Sequence, residues 1–93
     1  MIECNEGRCT LRGPVTLENV LALREDGLRL FDRPAVTLDL AGVTEVDSTA
    51  VSLLFEWRRA ALAGGRAIHY VNLPDNLASL AKLYGVTELV DAA

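Results

Sequence analysis

Apolar and polar residues alternate from the start of the chain. Ile2, Cys4, Cys9 and Leu11 are apolar; Glu3, Asn5, Arg8 and Thr10 are polar. A two-residue turn at Glu6-Gly7 sets Cys4 opposite Cys9 and Ile2 opposite Leu11. Every apolar residue then lands on one face, as a half-buried antiparallel hairpin requires. Gly7 supplies the positive φ that a primed turn needs at its second position. Gly13-Pro14 breaks the second strand. Thr16 is placed to cap a helix with Leu17, Val20, Leu21, Leu28 and Phe31 as its apolar stripe. Gly27 weakens the last turns of that helix by about 1 kcal/mol relative to alanine.

Val36, Leu38 and Leu40 alternate with Thr37 and Asp39, which predicts a central strand over residues 35–40, with 41–46 as a connection. Asp47-Ser48 opens a helix that runs to about Ala63 and stops at Gly64-Gly65. Ala67 to Val71 reads as a second inner strand. Pro74 precedes a short helix from Asp75 to Tyr84, stopped at Gly85. Residues 86–91 give no definite pattern. The order ββαβαβα predicts an α/β fold: a single domain over residues 1–93, with a mixed sheet, an N-terminal β-hairpin and helices packed on the sheet.

The helix from Ser48 to Ala63 carries more apolar surface than one face can hold. Ala50, Val51, Leu53, Leu54, Phe55, Trp57, Ala60, Ala61 and Leu62 spread over roughly 220° of the helical wheel, against the ~100° stripe of a one-sided surface helix. With Val51, Leu54, Phe55 and Leu62 facing the sheet, Leu53, Trp57 and Ala60 point sideways or outwards. They then either pack against neighbouring helices or form a partner surface with Trp57 as its anchor, since tryptophan is enriched at interface hot spots.

Composition narrows the function. The chain is 51% hydrophobic and 24% charged, which excludes a fully disordered chain. A net charge of −4 argues against nucleic-acid binding. No apolar run approaches the ~20 residues of a membrane span, so no direct membrane insertion is expected. The N-terminus has neither the basic flank nor the apolar core of a signal peptide, and a cytoplasmic location is the expectation. One histidine and two cysteines do not match a zinc-ligand spacing, so neither metal nor cofactor is expected. No nucleophile elbow, phosphate loop or dinucleotide fingerprint is present, and the chain reads as no enzyme. Cys4 and Cys9 are expected as free thiols, as a reducing cytosol would keep them. His69 reads as a structural histidine of an inner strand, and Tyr70 and Tyr84 as core or edge packing.

Asp47-Ser48-Thr49-Ala50 sits where a strand has ended and a helix begins. Asp47 or Ser48 can accept hydrogen bonds from the free amides of the first turn. One reading of these residues is a helix cap alone; the other is a contact site.

The run Val36-Thr37-Leu38-Asp39-Leu40, then Gly42-Val43, then Val46-Asp47-Ser48-Thr49-Ala50-Val51 and Leu53-Leu54 resembles the STAS domain family. That family includes anti-sigma factor antagonists, domains attached to anion transporters and small subunits of ABC transporters. Its β-hairpin followed by alternating helices and strands matches the order read above over nearly the whole chain. Leu80-Ala81-Lys82-Leu83-Tyr84-Gly85-Val86 is similar to the STAS subunits of Mla-type phospholipid transporters, which serve outer-membrane lipid asymmetry. The resemblance implies a non-enzymatic subunit that binds and supports the ATPase subunit of an ABC-type transporter, peripheral to the inner membrane through that complex. The implied contacts are Ser48, Thr49 and Ala50, extended by Leu53 and Trp57. The family motif usually has glycine at the position of Ala50, and a methyl group there adds bulk to the first turn. The alternative that the resemblance implies is an anti-sigma factor antagonist, with Ser48 phosphorylated by a partner kinase.

Overall fold

The computed structural model describes residues 1–85. Their elements are β1 (Ile2–Asn5), β2 (Arg8–Val15), α1 (Val20–Leu30), β3 (Ala35–Val46), α2 (Ser48–Ala63), β4 (Ala67–Val71) and α3 (Asp75–Leu83). This is the ββαβαβα order expected from the pattern. The segment 86–91 lies outside the described residues.

The four strands form one sheet in the order β1-β2-β3-β4. β1 and β2 are antiparallel; β2–β3 and β3–β4 are parallel. The hairpin register is the expected one, with Ile2 opposite Leu11 and Cys4 opposite Cys9. Both turn residues are left-handed, Glu6 at φ 50° and Gly7 at φ 86°, which matches the twist of the flanking strands. Cys4 and Cys9 are joined as a disulfide, with Cα atoms 4.0 Å apart. The expectation of free thiols is therefore corrected. It rested on compartment, whereas the hairpin register holds the two side chains face to face on one side of the ribbon.

β3 runs on to Val46, through the stretch expected to be a connection. The reason lies in its register with β2. From Thr10 to Arg12, β2 advances two residues while β3 advances three, from Asp39 to Gly42; the same happens from Gly13–Val43 to Val15–Val46. β3 thus carries two extra residues. The buried series Val36, Leu38, Leu40 resumes at Val43 rather than Gly42, so strict alternation ends before the strand does. β4 is an edge of the sheet among the described residues, and His69 is exposed there rather than enclosed in an inner strand.

Cys9, Leu11, Val36, Leu38, Leu40, Ile68 and Tyr70 form the buried face of the sheet. Leu23 and Phe31 pack on it from the first helical segment, Val51, Leu54 and Trp57 from α2, and Leu77 from α3, all within one cluster. The Tyr70 hydroxyl donates to the Leu54 carbonyl at 2.7 Å, which ties β4 to α2. Burial pushes the Tyr70 phenol well above its ordinary pKa, so it stays a neutral donor. Tyr84, by contrast, is exposed.

The two larger helices differ most from expectation. α1 buries Leu23 and Gly27, with Phe31 just beyond its end, while Leu17 is 72% and Leu21 73% exposed and Leu28 is also exposed. The inward residue Leu23 lies about 200° around the helix from Leu21. On α2, Leu53 and Trp57 are 2% and 1% exposed, and Leu62 is exposed. One substitution-sized feature links both changes. A Cβ at Gly27 would lie 2.3 Å from Trp57 Nε1, so the absence of a side chain at Gly27 makes the slot for the indole. Phe31 packs edge-on against that ring, with centroids 5.0 Å apart at 80°. Trp57 Nε1 donates to the Arg24 carbonyl at 3.3 Å. Most of the apolar arc of α2, from Ala50 through Trp57 to Ala61, is thereby buried, while Phe55 and Ala60 are half-buried and Leu62 stays outside.

Candidate functional site

The connection from β3 to α2 is built around Asp47. It is the N-cap of α2, in extended conformation, and its Oδ1 accepts from the Thr49 amide at 2.9 Å and from the Thr49 hydroxyl. Its other oxygen, Oδ2, accepts from the Leu17 amide at 2.9 Å, across 30 residues of chain. The hydrogen bonds from Thr49 and then from Leu17 hold this carboxyl below its ordinary pKa of 3.8. The cap is Asp47, then, and Ser48 is the first helical residue, exposed and without a capping role.

Asn19 shapes the facing segment. Its Oδ1 accepts from the Thr16 amide at 3.0 Å and its Nδ2 donates to the Pro14 carbonyl at 2.8 Å. The cap expected from Thr16 is not formed by its side chain. Instead the Thr16 carbonyl accepts from the Asn19 and Val20 amides. This turn carries the exposed Leu17 to the side of Asp47, and Leu21 follows one turn later.

α1 and α2 run side by side in the same direction, with Asp47 against Leu17, Glu56 against Arg24 and Trp57 against Gly27. The Arg24 Nε–Glu56 Oε2 ion pair spans 3.1 Å. Both side chains are partly exposed, so its main contribution is position rather than stability. Towards the helix starts lies a groove of about 300 Å³ lined by Val20, Leu21, Arg24, Thr49, Ser52, Leu53 and Glu56. A second groove, of about 340 Å³, lies on the opposite flank between Ser48, Val51, Ser52, Phe55 and Tyr84. Ser48 and Ser52 are therefore an exposed hydroxyl ridge between two partly apolar grooves.

Of the residues singled out from sequence, Ser48 and Thr49 lie on this ridge and its groove. Ala50 is 2% exposed and points into the core, so the methyl group at the position where the family usually has glycine adds no bulk to the outer surface. Leu53 and Trp57 are corrected as surface contacts. Both are enclosed between α1 and the sheet, and Leu53 reaches only the floor of a groove. Leu17, Leu21 and Ser52 were missed. The signal for the leucines was Gly27: read as a point of close helix approach rather than as a weak helix former, it turns the opposite face of α1 inwards.

Among the described residues no cluster of His, Cys, Asp and Glu could hold a metal ion, and no helix is long and apolar enough to cross a membrane. What the arrangement offers is a surface with hydroxyl donors and acceptors between apolar flanks.

The fold is similar to that of a structure titled as the anti-sigma factor antagonist SpoIIAA in its unphosphorylated form. The TM-score is 0.76 at 14% identity, covering 97% of this chain and 84% of that one. It is also similar to the STAS domain of a SulP transporter from Vibrio cholerae, with a TM-score of 0.68 at 18% identity over 95% of this chain and 71% of the other. A structure titled Mglu matches with a TM-score of 0.62 at 24% identity, over 81% of this chain but only 19% of that longer one. No curated protein sequence matches the chain. The family model described as "Mlab, STAS domain" matches residues 2–91, nearly the whole chain. This protein belongs to the STAS domain family.

Proposed function

We propose that this STAS domain is a non-enzymatic subunit that docks on the ATPase subunit of an ABC-type phospholipid transporter of the Mla type and supports its assembly or activity. The observation that carries the reading is the exposed Ser48–Ser52 ridge between two grooves, with exposed Leu21 lining one groove, exposed Tyr84 the other, and exposed Leu17 held by its amide to Asp47 just before α2. Exposed leucines in this number around small hydroxyl side chains suit a protein partner better than a small molecule. The description of the matching family as Mlab-type supports the transporter assignment.

The test is binding to the purified transporter ATPase subunit, with the nucleotide hydrolysis rate as a second readout. Wild-type protein should form a stable complex and raise or sustain hydrolysis. A carboxylate introduced by Ser48→Asp would have to be desolvated in the contact and should weaken the complex. Absence of a complex with the ATPase subunit would contradict the reading.

A second reading is an anti-sigma factor antagonist. It is favoured by the similarity to the fold of that antagonist and by the exposure of the Ser48 hydroxyl on the first turn of α2. Phosphorylation there would add about −1.5 to −2 charges to the ridge. Intact-mass analysis of the protein isolated from its cell decides it: phosphate on Ser48 together with a bound kinase favours the antagonist.

A further inference from the structure

We infer that Asp47 is a positioning residue that makes Leu17 and Ser48 one docking unit. This rests on the partner-docking reading above and adds to it a contact, Leu17, and the side chain that holds it in place. The two Asp47 oxygens serve different segments. Oδ1 takes the Thr49 amide and hydroxyl and so fixes the first turn of α2. Oδ2 takes the Leu17 amide and so fixes the turn before α1. An N-cap needs only the first of these. The second bond does nothing for α2; it ties the backbone of an exposed leucine, 30 residues away in the chain, to the residue that precedes an exposed serine. Leu17 is 72% exposed, so no burial of its own side chain explains its placement. Asn19 holds the same turn from the other side through Thr16 and Pro14. The backbone at Leu17 is thus held from both flanks while its side chain stays open to a partner.

The chemistry supplies a separating variant. Asparagine caps helices as well as aspartate does, but one of its two terminal atoms is a donor. Asp47→Asn can keep the Thr49 bond only by presenting an NH₂ group to the Leu17 amide, which then loses its acceptor. Asp47→Ser, a good cap too short to serve both segments, is the second variant. Each is compared with wild type and with Leu17→Ala by amide hydrogen exchange and by affinity for the purified transporter ATPase subunit.

The expected result has three parts. The Leu17 amide exchanges faster in both Asp47 variants while the amides of α2 keep their protection. Affinity falls about tenfold in Asp47→Asn, as it does in Leu17→Ala, the loss expected from one interface anchor. The double variant is no weaker than either single one, because both remove the same contact. Unchanged Leu17 exchange, or losses that add in the double variant, overturns the inference. If Ser48→Asp weakens the complex but Leu17→Ala and both Asp47 variants do not, the coupling falls and the docking reading stands. If Ser48→Asp, Leu17→Ala and Asp47→Asn all bind normally, both fall together.

Discussion

The α1–α2 pair is closed at one end and open at the other. At the closed end the indole of Trp57 fills the slot above Gly27, with Phe31 on its edge and the Arg24 carbonyl on its N–H. At the open end the same helices leave a groove of about 300 Å³, flanked by exposed Leu21 and Ser52. A helix pair can therefore be locked firmly by one large ring in one missing side chain, and that lock leaves the other end available. Apolar residues at the two ends have opposite duties: Trp57 is there for the fold and Leu21 for the surface.

Trp57→Ala should be the most damaging change at the closed end. It empties a buried indole site and should cost about 3–5 kcal/mol in chemical denaturation. A stability within error of wild type would mean that the closed end does not hold the pair.

Gly27→Ala tests the same lock through its sign. Helix propensity alone makes alanine better than glycine by about 1 kcal/mol. The added methyl, however, lies 2.3 Å from the indole nitrogen and under 3 Å from two further ring atoms, and overpacking of this kind costs typically about 1–3 kcal/mol. The variant should therefore be less stable than wild type. A rise in melting temperature would show that Gly27 is an ordinary weak point of the helix.

Much of the fold was legible from sequence because its elements are bounded by local signals. The Glu6-Gly7 turn set the hairpin register, and Gly64-Gly65 set the end of α2. What failed was two strand ends, since β2 runs through Gly13-Pro14 to Val15 and β3 through the expected connection to Val46, and, above all, rotation. The arc of α2 was wide enough to fit several orientations, and the choice depended on Gly27, which lies 30 residues away. The spacing of Leu17, Leu21 and Leu28 imitated a core stripe although the inward face was Leu23, Gly27 and Phe31. Of the candidate site, Ser48 and Thr49 were named through the family resemblance of the Asp-Ser helix start, which taken alone also fitted a simple cap. Ser52 and the leucines depended on tertiary packing that no local pattern encodes.

Acid should separate the two ends more gently. The Asp47 carboxyl is held below its ordinary value by Thr49 and Leu17, so the ionised form is the one that folding favours. Its contribution to stability is present above about pH 4 and fades as pH falls through the lowered folded-state value. The stability gap between wild type and Asp47→Ala should accordingly shrink as pH is lowered below that range. A gap that stays constant into strong acid would mean that the charged carboxylate is not what holds the open end.

The smallest effects on stability are expected on the ridge and its flank. Ser48→Ala, Leu17→Ala and Leu21→Ala remove exposed groups, and each should stay within about 0.5 kcal/mol of wild type. A larger loss at Ser48 would restore it to a capping role.

The claim that the open end is the docking surface is tested most directly by Ser48→Asp. An acidic residue in the first turn of a helix suits the helix dipole, so the variant should fold with an unchanged melting temperature. Its affinity for the transporter ATPase subunit, measured by calorimetric titration beside wild type, should fall by about tenfold or more. A folded Ser48→Asp protein that binds with wild-type affinity would contradict the account.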